Sequence, residues 1–527
     1  RIIGLVYRIP LTAIIGNKGN DYYGCAFEIY NILLIISSYS LPLAVSKLVS
    51  ADMSLGRKKN VYRILKCALT FGLVSGTIAA LILFFGAEFI TGTIMKTPYS
   101  IFAVKVLVPT LIVVAVLGVL RGFFQGLGTM MPSAVSQILE QIANAIVSVW
   151  AAYVLYNYGT KVGAVLGNTE NYAAAYGAAG GTLGTGTGAV IGLLFATFVL
   201  IAYLSVFKRQ MKRERRAKVD SYSYIFKILF ITIIPVLMST TIYNCNAILD
   251  QAIFKNIANL QGYSANDISE WNGIYTGKYK TLINVPISIA SALAASSVPA
   301  LTAAYTNGKK DAVRAQINTA IRFIMVVAFP CAVGMGVLAS PILQLLFRDS
   351  SELAASMLQL GAVSIVFFSL STLSNGLLQG INRMREPVKN ALIALVLHIG
   401  LLVVLMYAFK LNIYAVVYAN AFFGLLMCLL NAYSVRKYSG YQQEIKRTFV
   451  SPGISALIMG VAVYLSYQLF LYILRVNAIA TVFSILIGVV VYAVVLLLLK
   501  GLTEEEILKF PKGAALVRLA RKLHLLR

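Results

Sequence analysis

The chain has 527 residues, 59% of them hydrophobic and 12% charged, with a mean hydropathy of +0.80. A soluble globular protein is about 45–50% apolar and about 25% charged, so this composition excludes a soluble enzyme and sets most of the outer surface against lipid. The net charge of +26 lies in short segments between apolar runs, which is the signature of membrane topology rather than of nucleic-acid binding.

Apolar spans follow one another at residues 1–16, 22–50, 64–92, 100–127, 133–157, 184–207 and 225–254, then at 277–306, 317–346, 353–380, 387–410, 413–435, 452–474 and 478–500. Runs such as Ile454–Leu474 and Ala478–Leu499 are long enough to cross a hydrocarbon layer of about 30 Å. The expected fold is an all-α polytopic membrane protein of about fourteen transmembrane helices. Span 1 is short. From Arg1 to Ile15 it rises only about 22 Å at 1.5 Å per residue, and without an initiator Met the expectation is that residues precede Arg1. No cleavable signal peptide is expected, because the first span itself inserts.

Span 1 carries Arg1 and Arg8, seven residues apart and so on one helix face, with Tyr7 beside them. Ionisable residues within a span are costly and are functional candidates by default. A cationic stripe suits a phosphate or carboxylate, to which Arg offers a bidentate fork. The structural alternatives are a pair with an acid on a neighbouring helix, or snorkelling to the interface. In span 2, Glu28 reads as the partner of Arg8 or as a proton or cation site, and Lys47 as a topology anchor or part of a substrate path. Arg121 and Glu140, at the turn between spans 4 and 5, are expected to pair.

Gly180, Gly184, Gly188 and Gly192 recur every fourth residue, the spacing of close helix packing. The run Gly181–Gly188 has no following Lys and no preceding strand, so it is not a phosphate loop. In span 7, Asp250 follows Asn244 and Asn246, and Lys278 and Lys280 open span 8 at a matching depth; an Asp250–Lys280 pair reads as structural or as a gate. Arg322 reads as an anchor. The tail holds Thr503-Glu-Glu-Glu506, a capping box, and then a basic stretch, Leu516–Arg527, expected to rest on anionic lipid as an amphipathic helix. Five cysteines without metal or disulfide spacing, and only His398 and His524, leave no metal site or histidine chemistry to expect.

Basic residues cluster in alternate loops. One set holds Arg57–Lys59, Lys208–Lys218, Lys309–Arg314, Arg383–Lys389 and Arg436–Arg447. The other holds about one each: Lys18, Lys96, Lys161, Lys255, Arg348, Lys410 and Arg475. The positive-inside rule then puts both ends in the cytoplasm and makes the span count even. A repeat is also legible. Arg121-Gly-Phe-Phe-Gln-Gly126 matches Asn375-Gly-Leu-Leu-Gln-Gly380, and Ser40-Leu-Pro42 matches Ser297-Val-Pro299. Two six-helix lobes of the same polarity, with a substrate path between them, are therefore expected. They are an N-lobe over residues 1–207 and a C-lobe over 225–435. A basic linker, 208–224, joins them, and the helix pair 452–500 and the tail 501–527 follow.

Tyr7-Arg8-Ile-Pro10, the segment Gly16-Asn-Lys-Gly19, the segment Ser40–Ser50 and the paired Gln-Gly motifs resemble the SpoVB/YtgP-like polysaccharide-biosynthesis proteins. That group stands beside the MurJ lipid II flippases in the multidrug/oligosaccharidyl-lipid/polysaccharide exporter superfamily. The resemblance implies a MATE/MurJ-like fold in a bacterial cytoplasmic membrane. It also implies translocation of an undecaprenyl-pyrophosphate-linked saccharide, such as lipid II, by alternating access, with Arg1 and Arg8 toward the pyrophosphate. Where the MurJ branch has an arginine pair in span 2, this chain has Leu33-Leu-Ile-Ile36, so another lipid-linked glycan fits the same charges.

The expected substrate-binding residues are Arg1, Arg8, Glu28 and Lys47, with Asp250, Lys278 and Lys280 as gate or ion pair. No cofactor is expected, coupling to the membrane potential or a monovalent ion being the open alternative. The expected partners are an anionic lipid-linked saccharide, membrane lipids and, further, cell-wall synthases. Competing readings are a cation-coupled multidrug exporter, which needs acids in its cavity, and a non-transporting scaffold acting through loop 208–227.

Overall fold

A computed structural model describes residues 2–212, 214, 219–502, 504, 517, 518 and 521. Among these residues every regular element is helical, as a chain surrounded by lipid requires if each backbone group is to find its partner within its own segment. The chain packs as two compact units that divide between Gly277 and Lys278.

The first unit contains α1 (Ile2–Leu34), α2 (Leu41–Ser54), α3 (Lys58–Glu88), α4 (Ile101–Gly126), α5 (Met131–Leu166), α6 (Thr169–Lys212), α7 (Tyr222–Leu260) and α8 (Ala265–Ile274). The second contains α9 (Lys280–Thr306), α10 (Lys310–Val337), α11 (Ala339–Phe347), α12 (Glu352–Gly361), α13 (Ser364–Gly380), α14 (Arg385–Tyr407), α15 (Ile413–Ser439), α16 (Ser451–Leu474) and α17 (Asn477–Leu498). The repeat divides the chain at the linker 208–224, whereas packing groups α7 and α8 with the first six spans. The reason is a buried polar network, described below, that binds both helices to α1.

Among the described residues, 11 helical stretches can cross a membrane by length and composition, or 12 if the bent pair α12–α13 is one span. The chain is a multi-pass membrane protein. The expected number of about fourteen is not reached by this criterion, because the 49-residue stretch Val6–Ser54 counts once and α7 contributes only the shorter apolar stretch Tyr222–Ile234. That stretch is broken at Gly16, whose φ of 68° and ψ of −175° lie where a side chain is strained. The Asn20 side chain closes the break, its Nδ2 donating to the Gly16 carbonyl at 2.7 Å while its Oδ1 accepts from Thr12 Oγ1 at 3.3 Å.

The sequence repeat is a repeat of packing. In the first unit α4 lies against α2, with no room for a side chain at Gly122: a Cβ there would stand 2.6 Å from the Pro42 carbonyl oxygen. In the second unit α13 lies against α9 in the same way, and a Cβ at Gly376 would stand 2.8 Å from Ala294 Cβ. Gly122→Val is therefore expected to lower the thermal midpoint in detergent by the equivalent of about 1–3 kcal/mol or more, since it forces backbone apart. Gly376→Ala meets only a methyl group and is expected to cost less. Equal midpoints for the two variants would refute this assignment.

The four-residue glycine ladder has the role its spacing predicts. It lies within α6, where Gly180, Gly184 and Gly188 press on the α5 backbone at Ala151, Ser148 and Glu140.

Candidate functional site

The first helix brings its polar residues to one place in the first unit. Tyr7 is buried on α1, and its hydroxyl accepts from Asn144 Nδ2 of α5 at 3.5 Å; Asn144 Oδ1 in turn accepts from Ser148 Oγ at 2.8 Å. Arg8, the next residue, is half-buried, and its guanidinium lies 4.5 Å from the centre of the Tyr23 ring. Tyr23 is itself fully buried. Among the described residues no carboxylate pairs with Arg8. A ring face holds a cation without neutralising it, so the guanidinium keeps its hydrogen-bond fork available for an anion.

The other expected site residues stand on several helices. Arg1 lies outside the described residues. Glu28 is half-buried on α1, and Lys47 is exposed on α2. Asp250 is buried on α7 in the first unit, while Lys280, at the start of α9, is half-buried in the second. Lys278 is buried, and its Nζ lies 2.5 Å from Asp349 Oδ2 in the loop after α11. Asp349 Oδ1 accepts from the Ser351 backbone amide at 2.8 Å.

Burial opposes ionisation of Asp349, but the Lys278 and Ser351 hydrogen bonds outweigh it and hold the carboxyl below its ordinary value of 3.8. A carboxyl depressed by folding contributes stability above its ordinary value, and that contribution is lost as pH falls through the folded value. Wild-type protein is therefore expected to lose stability below about pH 4 in a step that Lys278→Met removes. Parallel midpoint-versus-pH curves for the two proteins would contradict this.

The most deeply buried ion pair in the first unit joins residues from three helices and a loop. Lys255 of α7 is 0% exposed, and its Nζ lies 2.6 Å from Asp21 Oδ1 and 2.6 Å from Thr97 Oγ1. Asp21 of α1 also accepts from Ser269 Oγ at 2.7 Å and from Asn272 Nδ2 at 2.7 Å, both on α8. This corrects the reading of Lys255 as a loop charge: α7 runs on to Leu260, past the expected end at residue 254, and carries the lysine inward. The helix can do so because a carboxylate and a hydroxyl meet the ammonium there.

On the face with many basic residues, the turn after α2 holds another cluster. Arg57 pairs with Asp220 at 2.7 Å and with Asp52 at 3.3 Å, and Asn60 Nδ2 donates to both acids. The linker is thereby pinned to the first unit. Arg121 and Glu140 pair at 2.6 Å as their spacing predicts, with Arg121 Nε also donating to Ser136 Oγ at 2.9 Å. At the repeat position of Arg121 the second unit has an amide, Asn375. Asn431 of α15 donates to Asn375 at 2.8 Å and accepts from Asn390 at 2.9 Å. Arg322 pairs with Glu444, so the expected anchor has a partner.

Residues 1–305 match the family described as Polysaccharide biosynthesis protein. The chain belongs to that family. Residues 280–404 also match the family described as MatE. Lipid II flippase MurJ of Bacillus subtilis (strain 168) is 27% identical over 89% of this chain and 87% of its own length. Stage V sporulation protein B of the same organism is 25% identical over 86% of this chain and 83% of its own. The fold is shared with solved MATE and MurJ structures. An inward-facing MATE multidrug resistance transporter superposes with a TM-score of 0.64 at 14% identity, over 84% of this chain and 96% of that one. A solved lipid II flippase MurJ in an inward closed conformation gives 0.61 at 16% identity, over 94% and 97%. This family member is thus homologous to flippases and transporters, and its resemblance to polysaccharide-biosynthesis proteins is borne out.

Two residues of the family member's buried network escaped sequence reasoning. Asp21 stands in the break between the first two spans, and Lys255 was counted with the loops. A signal for Lys255 did exist: Ala252, Phe254, Ile257 and Ala258 continue the apolar pattern around it, which makes a helix rather than a loop the better reading of this position.

Proposed function

We propose that the chain flips an undecaprenyl-pyrophosphate-linked saccharide, lipid II or a related cell-wall unit, from the inner to the outer leaflet of the bacterial cytoplasmic membrane by alternating access. The observation that carries this reading is Arg8. It is a membrane-span cation over a tyrosine ring, with no carboxylate partner among the described residues. A pyrophosphate presents oxygens in the geometry of a guanidinium fork, and such charge-assisted bonds are worth about 1.5–3 kcal/mol each. The names of the relatives, a lipid II flippase and a sporulation protein, favour the same substrate class.

In this reading Arg1 and Lys47 would add to the binding charge, Glu28 would sit beside the path, and Asp250, Lys278 and Lys280 would act at the opposite gate. The basic loops would face the cytoplasm together with both chain ends. Energy would come from the membrane potential or a monovalent ion. Cell-wall synthases would be partners at the basic face.

The test is leaflet accessibility of lipid II in cells depleted of their other flippases. Expression of this chain is expected to make lipid II accessible from outside. Lipid II that stays inaccessible, with the protein present in the membrane, removes that assignment.

A second reading, a cation-coupled drug exporter, is favoured by the MatE match over residues 280–404. It needs an available acid. Among the described residues Asp21, Glu140 and Asp349 each already hold a basic partner within 2.6 Å, so a cation would have to displace it. Drug sensitivity on deletion of the gene, with lipid II accessibility unchanged, would favour this second reading.

A further inference from the structure

Beside the Asp21–Lys255 pair the first unit opens into a solvent-open pocket of about 100 Å³. Its floor is the ion pair with Thr97 and Ser269, and its walls include Tyr22, Tyr99, Lys96, Asn171, Asn259 and Asn266. The Tyr22 and Tyr99 rings stack with centroids 5.9 Å apart, and the Tyr22 hydroxyl donates to Asn171 Oδ1 at 3.1 Å. Lys18 Nζ donates to Asn266 Oδ1 at 3.0 Å. Those bonds occupy the amide oxygens. Among the described residues the Asn171, Asn259 and Asn266 amide nitrogens have no protein acceptor, and Asn259 is exposed.

The lining chemistry narrows the ligand. An apolar chain or a hydrophobic drug would desolvate three amides and Lys96 without replacing their hydrogen bonds. An organic cation would need a carboxylate, but Asp21 is consumed by Lys255, Ser269 and Asn272. A multiply charged anion would find Lys96 in the lining, while Lys255 is neutralised by Asp21 and the neighbouring Lys18 pairs with Glu170 at 2.8 Å. A sugar ring meets all these conditions. Its hydroxyls give and take hydrogen bonds with amides, and its C–H faces pack on tyrosine rings.

We propose that this pocket is a saccharide-binding site for a neutral pyranose. It lies on the face with few basic residues, where a translocated headgroup would emerge; that placement rests on the flippase reading, whereas the ligand class does not. A sugar bound there would rest on the closed Asp21–Lys255 pair. It would hold α1, α7 and α8 together while the lipid-linked unit leaves.

The test uses the full chain in lipid nanodiscs with the neutral disaccharide chitobiose as probe, read by saturation transfer to the sugar protons. Transfer is expected with wild type and with Arg8→Ala. It is expected to fall by about fivefold or more in Asn171→Ala/Asn259→Ala, because each lost hydrogen bond costs about that factor. Asn259→Ala alone touches no protein contact and keeps the test valid if the double variant misfolds. Absence of transfer with wild type, equal transfer with the variants, or displacement by millimolar pyrophosphate would each overturn the proposal. Sugar binding without lipid II accessibility defeats only the flippase reading, and accessibility without sugar binding defeats only the pocket.

Discussion

Replacing Arg8 by alanine is expected to reduce translocation of the lipid-linked saccharide by about 10- to 100-fold while leaving the thermal midpoint nearly unchanged. The separation of the two effects follows from what Arg8 touches. Its contact among the described residues is the Tyr23 ring at 4.5 Å, and a cation–π contact of this kind is worth about 0.5–2 kcal/mol. Removing it costs little stability, because no buried carboxylate is left behind. Losing a bidentate hold on a pyrophosphate costs about 1.5–3 kcal/mol per charge-assisted bond, which is about one to two decades in rate or affinity. Arg8→Lys keeps the charge and loses the fork, so it is expected to fall between wild type and alanine. Lipid accessibility and thermal unfolding would be measured on the same preparations. An alanine variant that unfolds early yet flips at the wild-type rate would make Arg8 a structural residue.

Replacing Lys255 by methionine should have the larger effect on stability, about 3–5 kcal/mol, because it strands a buried carboxylate. Asp21 is 1% exposed, and would retain Ser269 and Asn272 as donors but no compensating charge. Asp21→Asn combined with Lys255→Met removes both charges and is expected to recover most of the loss, since an uncharged buried pair of similar shape carries no ionic desolvation cost. The comparison of the single and double variants by thermal unfolding in detergent is decisive. If the double variant is less stable than Lys255→Met alone, the pair contributes by something other than mutual neutralisation. The same variants bear on transport. If separation of α1 from α7 and α8 is part of the cycle, the neutral double variant should still flip substrate.

Much of the fold was legible because lipid imposes a simple rule on sequence. Long apolar runs had to be helices, and Gly122 and Gly376 announced two matched helix crossings because each stands at the same place in its repeat. The candidate site was legible in part. Arg8 stood out as a charge where charge is costly, and Arg121–Glu140 could be paired by their positions on neighbouring spans. Asp250 and Lys280 match in depth, and depth along a span does not by itself say which residues face each other.

The sequence by itself determined the all-helical multi-pass architecture, the internal repeat, the family and the cationic first span. Each depends on local composition or spacing, which periodicity and charge report directly. Only the tertiary structure decided where helices end and which side chains meet. It carried α7 past residue 254 to bury Lys255 against Asp21, 234 positions away in sequence. It seated Arg8 on Tyr23 across the Gly16 break, and it assembled three asparagines and two tyrosines into one pocket. A buried lysine is tolerable only if a carboxylate reaches it, and that condition is met in space, between segments whose separation along the chain carries no trace of it.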